Sequence, residues 1–239
     1  NSPNPVVSFE NDGLYQVSLT TENANSISSI EKNDFYNVIS EDLLSEETEF
    51  TEDFSSLNFP PENWEVLNIG QNPTWKDTSI FTQEGLQNRV AYFKNDLDGN
   101  FDKLITQPIY LDNNLSNPYL SFDVSYSSIS DSFEDALLVE VSQDCGSTFT
   151  DTIYFKFGKF LSTDIQNNST NSNYHIFRNE SVSLKEFIAK RIKISFLSNS
   201  DGGNNIYIDN VNLTNRSTED FNPLVFEIFP NPSSGIFNL

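Results

Sequence analysis

The chain has 239 residues with 13 Lys and Arg against 35 Asp and Glu, a formal charge of −22. A field of that sign repels phosphate backbones and anionic lipid headgroups and attracts metal cations, which excludes nucleic acid as a partner. Aromatic residues make up 13% of the chain and Phe alone contributes 21, so this is an acidic protein that folds around a core, with room for one large domain plus fragments.

Along residues 1–40, Asn11-Asp12-Gly13 supplies a turn, and Tyr15, Val17 and Leu19 then alternate with polar residues as in a half-buried strand. Residues 41–49 form an acidic linker: from Glu41 to Asp53 there are seven acids and no base, a self-repelling stretch that runs into a strand at Phe50. From 50 to 214 the signals are β throughout. Tyr119–Tyr126, Leu137–Val141, Ile192–Phe196 and Ile206–Asp209 read as strands, divided by turn clusters such as Asp144-Cys145-Gly146 and Asp201-Gly202-Gly203-Asn204. Ser183 to Ala189 predicts one short helical turn. The expected fold is all-β, a jelly-roll β-sandwich with partial β-sandwich pieces on either side. A linker at 215–224 leads to a last segment, 225–239, in which Pro230, Pro232 and Gly235 set up a turn before a new strand.

Much chemistry is excluded. Cys145 is the single cysteine, so the chain makes no internal disulfide and no zinc or redox site built on cysteines. No apolar run exceeds four residues, as in Val90-Ala91-Tyr92-Phe93, against the roughly 20 that a membrane span requires. His175 is the only histidine, which rules out an HExxH zinc site in these residues, and no GxSxG turn exists for it to serve. It is expected on an exposed loop. Ser142-x-Asp144-x-Gly146-x-Thr148 is an Asp-box-like pattern in which Asp144 braces a hairpin turn, with Cys145 on that turn. Lys185, Lys190, Arg191 and Lys193 form the only basic cluster and read as a solvated face.

Five ordered blocks carry a resemblance. Phe59-Pro60-Pro61-Glu62-Asn63-Trp64 with Thr74-Trp75, Asp102–Ile109, Tyr119–Asp123, Val141–Phe149 and Gly203–Val211 together resemble the cleaved-adhesin (choice-of-anchor J) jelly-roll modules of secreted proteins. Asn63 stands where that family has glycine, which leaves a turn residue in place. The stretch Pro5-Val6-Val7-x-Phe9 followed by Gly13-x-Tyr15-x-Val17-x-Leu19 resembles the last strands of a PKD-type domain, and Phe229 to Phe237 resembles the start of a type IX secretion C-terminal sorting domain. These resemblances imply a secreted or cell-surface location; separately, a chain with no Met that opens at Asn1 without a basic or apolar leader region carries the expectation of a signal peptide upstream. The resemblances also imply contact with the secretion machinery through the C-terminal segment, and an extracellular glycan or protein as ligand. The same domain order is similar to the C-terminal half of pappalysin-type zinc metallopeptidases, whose catalytic domain would lie upstream; a plain structural spacer is the third reading.

Two sets of site residues follow. Asp96, Asp98 and Asp102 alternate in an Asp-x-Asp-Gly-Asn-x-Asp loop, the spacing of hard oxygen ligands, or else of a solvated turn. Asp209 on a regular strand would share a face with Tyr207, Val211 and Leu213, where a carboxylate needs a counter-charge; calcium could supply it, as could Arg89 or Arg191. The resemblance adds Glu52 and Asp53, because such jelly-rolls hold structural calcium where first and last strands meet. For sugar stacking the residues are Trp64, Trp75 and Tyr126, which are otherwise core.

Overall fold

The structure, a computed structural model, describes residues 7, 13–23, 26–38, 49–69, 73–82, 85–95, 98–130, 132–163 and 175–216. The 41–48 part of the acidic linker, Asp96 and the sorting-like segment lie outside the described residues.

Among the described residues fourteen strands follow one another: β1 (Gly13–Asn23), β2 (Ser26–Val38), β3 (Phe50–Glu52), β4 (Glu65–Leu67), β5 (Lys76–Phe81), β6 (Gln87–Phe93), β7 (Phe101–Ile105), β8 (Ile109–Tyr110), β9 (Pro118–Ser125), β10 (Ala136–Ser142), β11 (Asp151–Phe157), β12 (Arg178–Ser183), β13 (Arg191–Asn199) and β14 (Ile206–Asn215). The only helical pieces among the described residues are the single turn α1 (Gly158–Leu161) and a 3-10 turn at Lys185–Phe187, inside the predicted Ser183 to Ala189 stretch. Strands β1 and β2 pair with each other as an antiparallel ribbon, with Leu19 opposite Ile30.

The remaining strands form two antiparallel sheets. The first runs β11-β10-β13-β7-β4, with β8 also on β13. The second runs β12-β9-β14-β6-β5, with β3 on β14. This is the expected jelly-roll sandwich. Period-2 alternation sends Leu137, Val139, Ile194 and Phe196 of the first sheet inward against Leu120, Phe122, Val124, Ile206 and Ile208 of the second, all fully buried. Phe122 stands at the centre, edge-on to Tyr154 and to Phe196 at 5.2 Å.

Trp64, Trp75 and Tyr126 belong to this core and are 6%, 2% and 1% exposed, which corrects their assignment as sugar platforms. Each ring satisfies its one polar atom internally: Trp64 donates to Gln107 Oε1 at 3.1 Å, Trp75 to the Asp102 carbonyl at 3.0 Å, and Tyr126 to Asp135 Oδ2 at 2.7 Å. A ring with its polar tip satisfied inside the sandwich has no face left for a ligand.

Two turn readings agree with the structure. Asn63 has φ 63°, a left-handed position that Asn tolerates better than most residues. Asp144 accepts from the Thr148 amide at 2.8 Å and the Thr148 hydroxyl at 2.6 Å, and Ser142 Oγ caps the Gly146 amide at 2.8 Å, so the β10–β11 turn is braced from both sides. Cys145 is exposed at its tip with φ 60°. The basic cluster is corrected in part, since Lys193 lies buried under this turn and pairs with Glu65 at 2.6 Å.

Candidate functional site: a groove on the first sheet

Part of the outer face of the first sheet is apolar where solvent-facing strands are ordinarily polar. Antiparallel register places Phe157, Ala136, Asn199 and Phe101 in one row across four strands, and Phe155, Leu138, Leu197 and Lys103 in the next. These side chains alternate with the core residues, so they point away from the sandwich. Between them lies an open groove of about 780 Å³ floored by Ala136, Leu138 and Leu197 and walled by Phe101, Phe155 and Phe157. Phe155 and Phe157 stack at 5.4 Å, Phe160 meets Phe157 edge-on at 5.7 Å, and Phe155 and Phe160 are 55% and 60% exposed.

The two ends differ in charge. At one end Lys103 pairs with Glu140 at 2.7 Å, and the Lys103 ammonium sits 4.3 Å from the centre of the Phe149 ring. At the other end the groove is lined by Gly99, Glu134 and Asn199. There the loop before β7 and the loop after β13 are tied by the Gly99 amide to the Ser200 carbonyl and the Ser200 amide to the Asn100 carbonyl, both 2.8 Å. Asp201 Oδ2 in turn accepts from the Glu134 amide at 2.9 Å. Asp98, Glu134 and Asp201 therefore gather at this end, and none of them forms an ion pair among the described residues.

Beneath that end lies a buried carboxylate which sequence reading missed. Asp135 accepts from Tyr126 Oη, from the Asp201 amide at 2.8 Å and from the Gly203 amide at 3.2 Å. Burial and the Asp135 carboxylate both push the Tyr126 hydroxyl far above the ordinary phenol range, so it stays a donor. Gly203 has no room for a side chain, because a Cβ there would run into Asp135.

Of the six acids chosen as calcium ligands, Asp96 lies outside the described residues, and the other five do not converge on one site. Asp98 is at the acidic end of the groove. Asp102 points inward from β7 and accepts the Ile69 amide at 2.6 Å. Glu52, Asp53 and Asp209 stand at the junction of β3 and β14 in the second sheet. Among the described residues no group of three or more His, Cys, Asp or Glu is arranged to hold a metal ion.

Asp209 also sits on the other face from the one expected. The β14 register shifts between Asp209 and Asn212, with Asn210 at φ 47°, and this bulge changes the phase of the alternation. Ile206 and Ile208 before the bulge and Val211 and Leu213 after it all face the core, whereas Asp209 joins Tyr207 on the outer side. Its partners are amides: Asn88 Nδ2 donates to Oδ2 at 2.6 Å and the Asn210 amide to Oδ1 at 2.7 Å. Across the strand, Asp123 accepts from Asn179 and Asn210, each at 2.8 Å. Burial, with added repulsion from Asp123 and Asp53, outweighs these bonds and pushes the Asp209 carboxyl up to about 6. Burial likewise raises Glu52. Arg89, offered as a counter-charge, is paired with Asp77 instead. His175 is half-buried with its ring 4.2 Å from Tyr207, and burial lowers its imidazole, which corrects the expectation of an exposed loop residue.

Fold and groove define an antiparallel jelly-roll module. No family model matches the chain, and no curated protein matches it. Solved structures do. The K1 cleaved adhesin domain of Lys-gingipain from Porphyromonas gingivalis is similar over 71% of this chain and 99% of that domain, at 18% identity and a TM-score of 0.51. The K2 cleaved adhesin domain of Lys-gingipain gives 17% identity, 70% and 99% coverage and a TM-score of 0.46. CBM27-1 of Caldicellulosiruptor saccharolyticus, in complex with mannohexaose, gives 12%, 70% and 97%, and 0.48. At these identities the likeness is one of fold.

Proposed function

We propose that the chain is a non-catalytic binding or adhesion module of a secreted, cell-surface-sorted multidomain bacterial protein, which takes an extracellular glycan or protein in the groove of the first sheet. The observation that carries this reading is the open groove itself: aromatic walls and an aliphatic floor on a face that a plain spacer would keep polar. Its test is a glycan array together with a panel of extracellular matrix proteins, run with the wild-type chain and with Phe155→Ser. Ligand capture that the substitution abolishes supports the reading. No capture on either panel, or capture indifferent to Phe155, sinks it.

Calcium belongs to the proposal as a stabiliser. Support comes from Asp209, whose carboxylate is buried beside Asp123 and Asp53 with amide donors and no ion pair among the described residues. Glu52 and Asp53 are the neighbouring carboxylates that would complete an oxygen-rich site. A melting temperature indifferent both to EGTA and to added calcium would remove calcium from the account. Sorting through 225–239 rests on the resemblance of Phe229 to Phe237; fusing that segment to a reporter and following export in a type IX-competent cell tests it.

A further inference from the structure

We propose that the occupant of the groove is an extended polypeptide segment of another protein, carrying aliphatic or aromatic side chains next to a Lys or Arg. This deepens the reading of the groove as the binding site and depends on it. Three features select that chemistry.

The floor, made by Ala136, Leu138 and Leu197, offers no side-chain hydrogen-bonding group, and the walls are Phe. Sugar hydroxyls laid on such a floor would give up water for nothing, whereas apolar side chains gain from leaving water. Among the described residues, the only polar side chains lining the groove are Glu134 and Asn199, both at one end. That leaves a sugar two points of attachment.

The end charge is the second feature. Asp98, Glu134 and Asp201 gather there, and among the described residues none of the three forms an ion pair and no Lys or Arg lines that end. Lys103, which enters from the opposite end, is already neutralised by Glu140. A cationic side chain on the ligand complements that end and an acidic one is repelled. The third feature is the net charge of −22, which speeds encounter with a basic partner and opposes a second copy of this chain.

The test uses the full chain and fluorescein-labelled heptapeptides with a Leu-Phe-Leu centre, flanked by Lys, by Ser or by Glu, read by fluorescence anisotropy at low salt. The Lys-flanked peptide is expected to bind about tenfold more tightly than the Glu-flanked one, with the Ser-flanked peptide between them. Glu134→Gln is expected to weaken the Lys-flanked peptide about threefold and leave the Ser-flanked peptide unchanged. Phe155→Ser removes all binding while the melting temperature stays put. Cello-, manno- and galacto-oligosaccharides, read by calorimetry on the same proteins, form the second arm. If an oligosaccharide binds through Phe155 and the peptides do not, the polypeptide assignment falls and the groove reading survives. If peptides bind with no dependence on their flanking charge, the acidic end has no role and the proposal fails. If the chain dimerises in sedimentation and Phe155→Ser abolishes the dimer, the occupant is a second copy and the proposal fails. If nothing binds or Phe155 does not matter, both readings fail together.

Discussion

Lowering the pH from about 7.5 to about 4 should strengthen one part of this protein while acid weakens others. The Asp209 carboxyl is raised from 3.8 to about 6, by burial first, against the pull of the Asn88 and Asn210 hydrogen bonds. Unfolded, it titrates near 3.8, so between those values the native chain holds the extra proton. The stability contributed by this group is complete below 3.8 and is lost as the pH rises through about 6. A shift of about two units corresponds to about 3 kcal/mol, and incomplete desolvation of the carboxyl, with the unfolded chain itself partly protonated at about pH 4, reduces the expectation to about 2 kcal/mol. The assay is urea unfolding followed by tryptophan fluorescence at both pH values in EGTA, for the wild type and for Asp209→Asn. The variant lacks the titrating group, so the difference between the two proteins should change by about 2 kcal/mol between the two pH values. Calcium at about millimolar concentration should flatten or reverse that change, because a bound cation holds the carboxylate ionised. Differences that stay parallel across the range in EGTA would refute the raised carboxyl, and indifference to calcium would refute the cation.

Other outcomes follow from the geometry. Gly203→Ala should cost about 2–4 kcal/mol in denaturant unfolding, since its Cβ collides with the buried Asp135 carboxylate. Tyr126→Phe should cost about 1–2 kcal/mol in the same measurement, because Asp135 loses one of three donors. Trp75→Ala should lower stability by about 3–5 kcal/mol, as expected of a core ring and not of a sugar platform. Cys145→Gly should stabilise the fold slightly in denaturant unfolding, by up to about 1 kcal/mol, because glycine adopts φ 60° without strain.

The parts of this fold governed by local rules were legible in the sequence. Alternation located the strands, and Asp144 revealed its turn through the spacing to Ser142 and Thr148. Asp209 was misplaced because a single bulge residue, Asn210, reverses which neighbours share its face, and a strand pattern contains no mark of that reversal. Trp64 and Trp75 were read two ways from their chemistry, and only burial separates platform from core. The groove was invisible for a different reason: Phe101, Leu138, Phe155 and Leu197 come from four strands, and only the sheet order sets them side by side. One signal was available. Leu137-Leu138-Val139 is apolar on both faces of β10, which implies a covered or ligand-bearing outer surface.

The braced turn between β10 and β11 has a practical consequence. It holds up the sole sulfur atom of a chain without methionine, exposed and on a backbone that Asp144 keeps still. A maleimide dye or spin label would therefore attach at one defined point, on the hairpin whose other end carries Phe155 and Phe157, without any engineered cysteine.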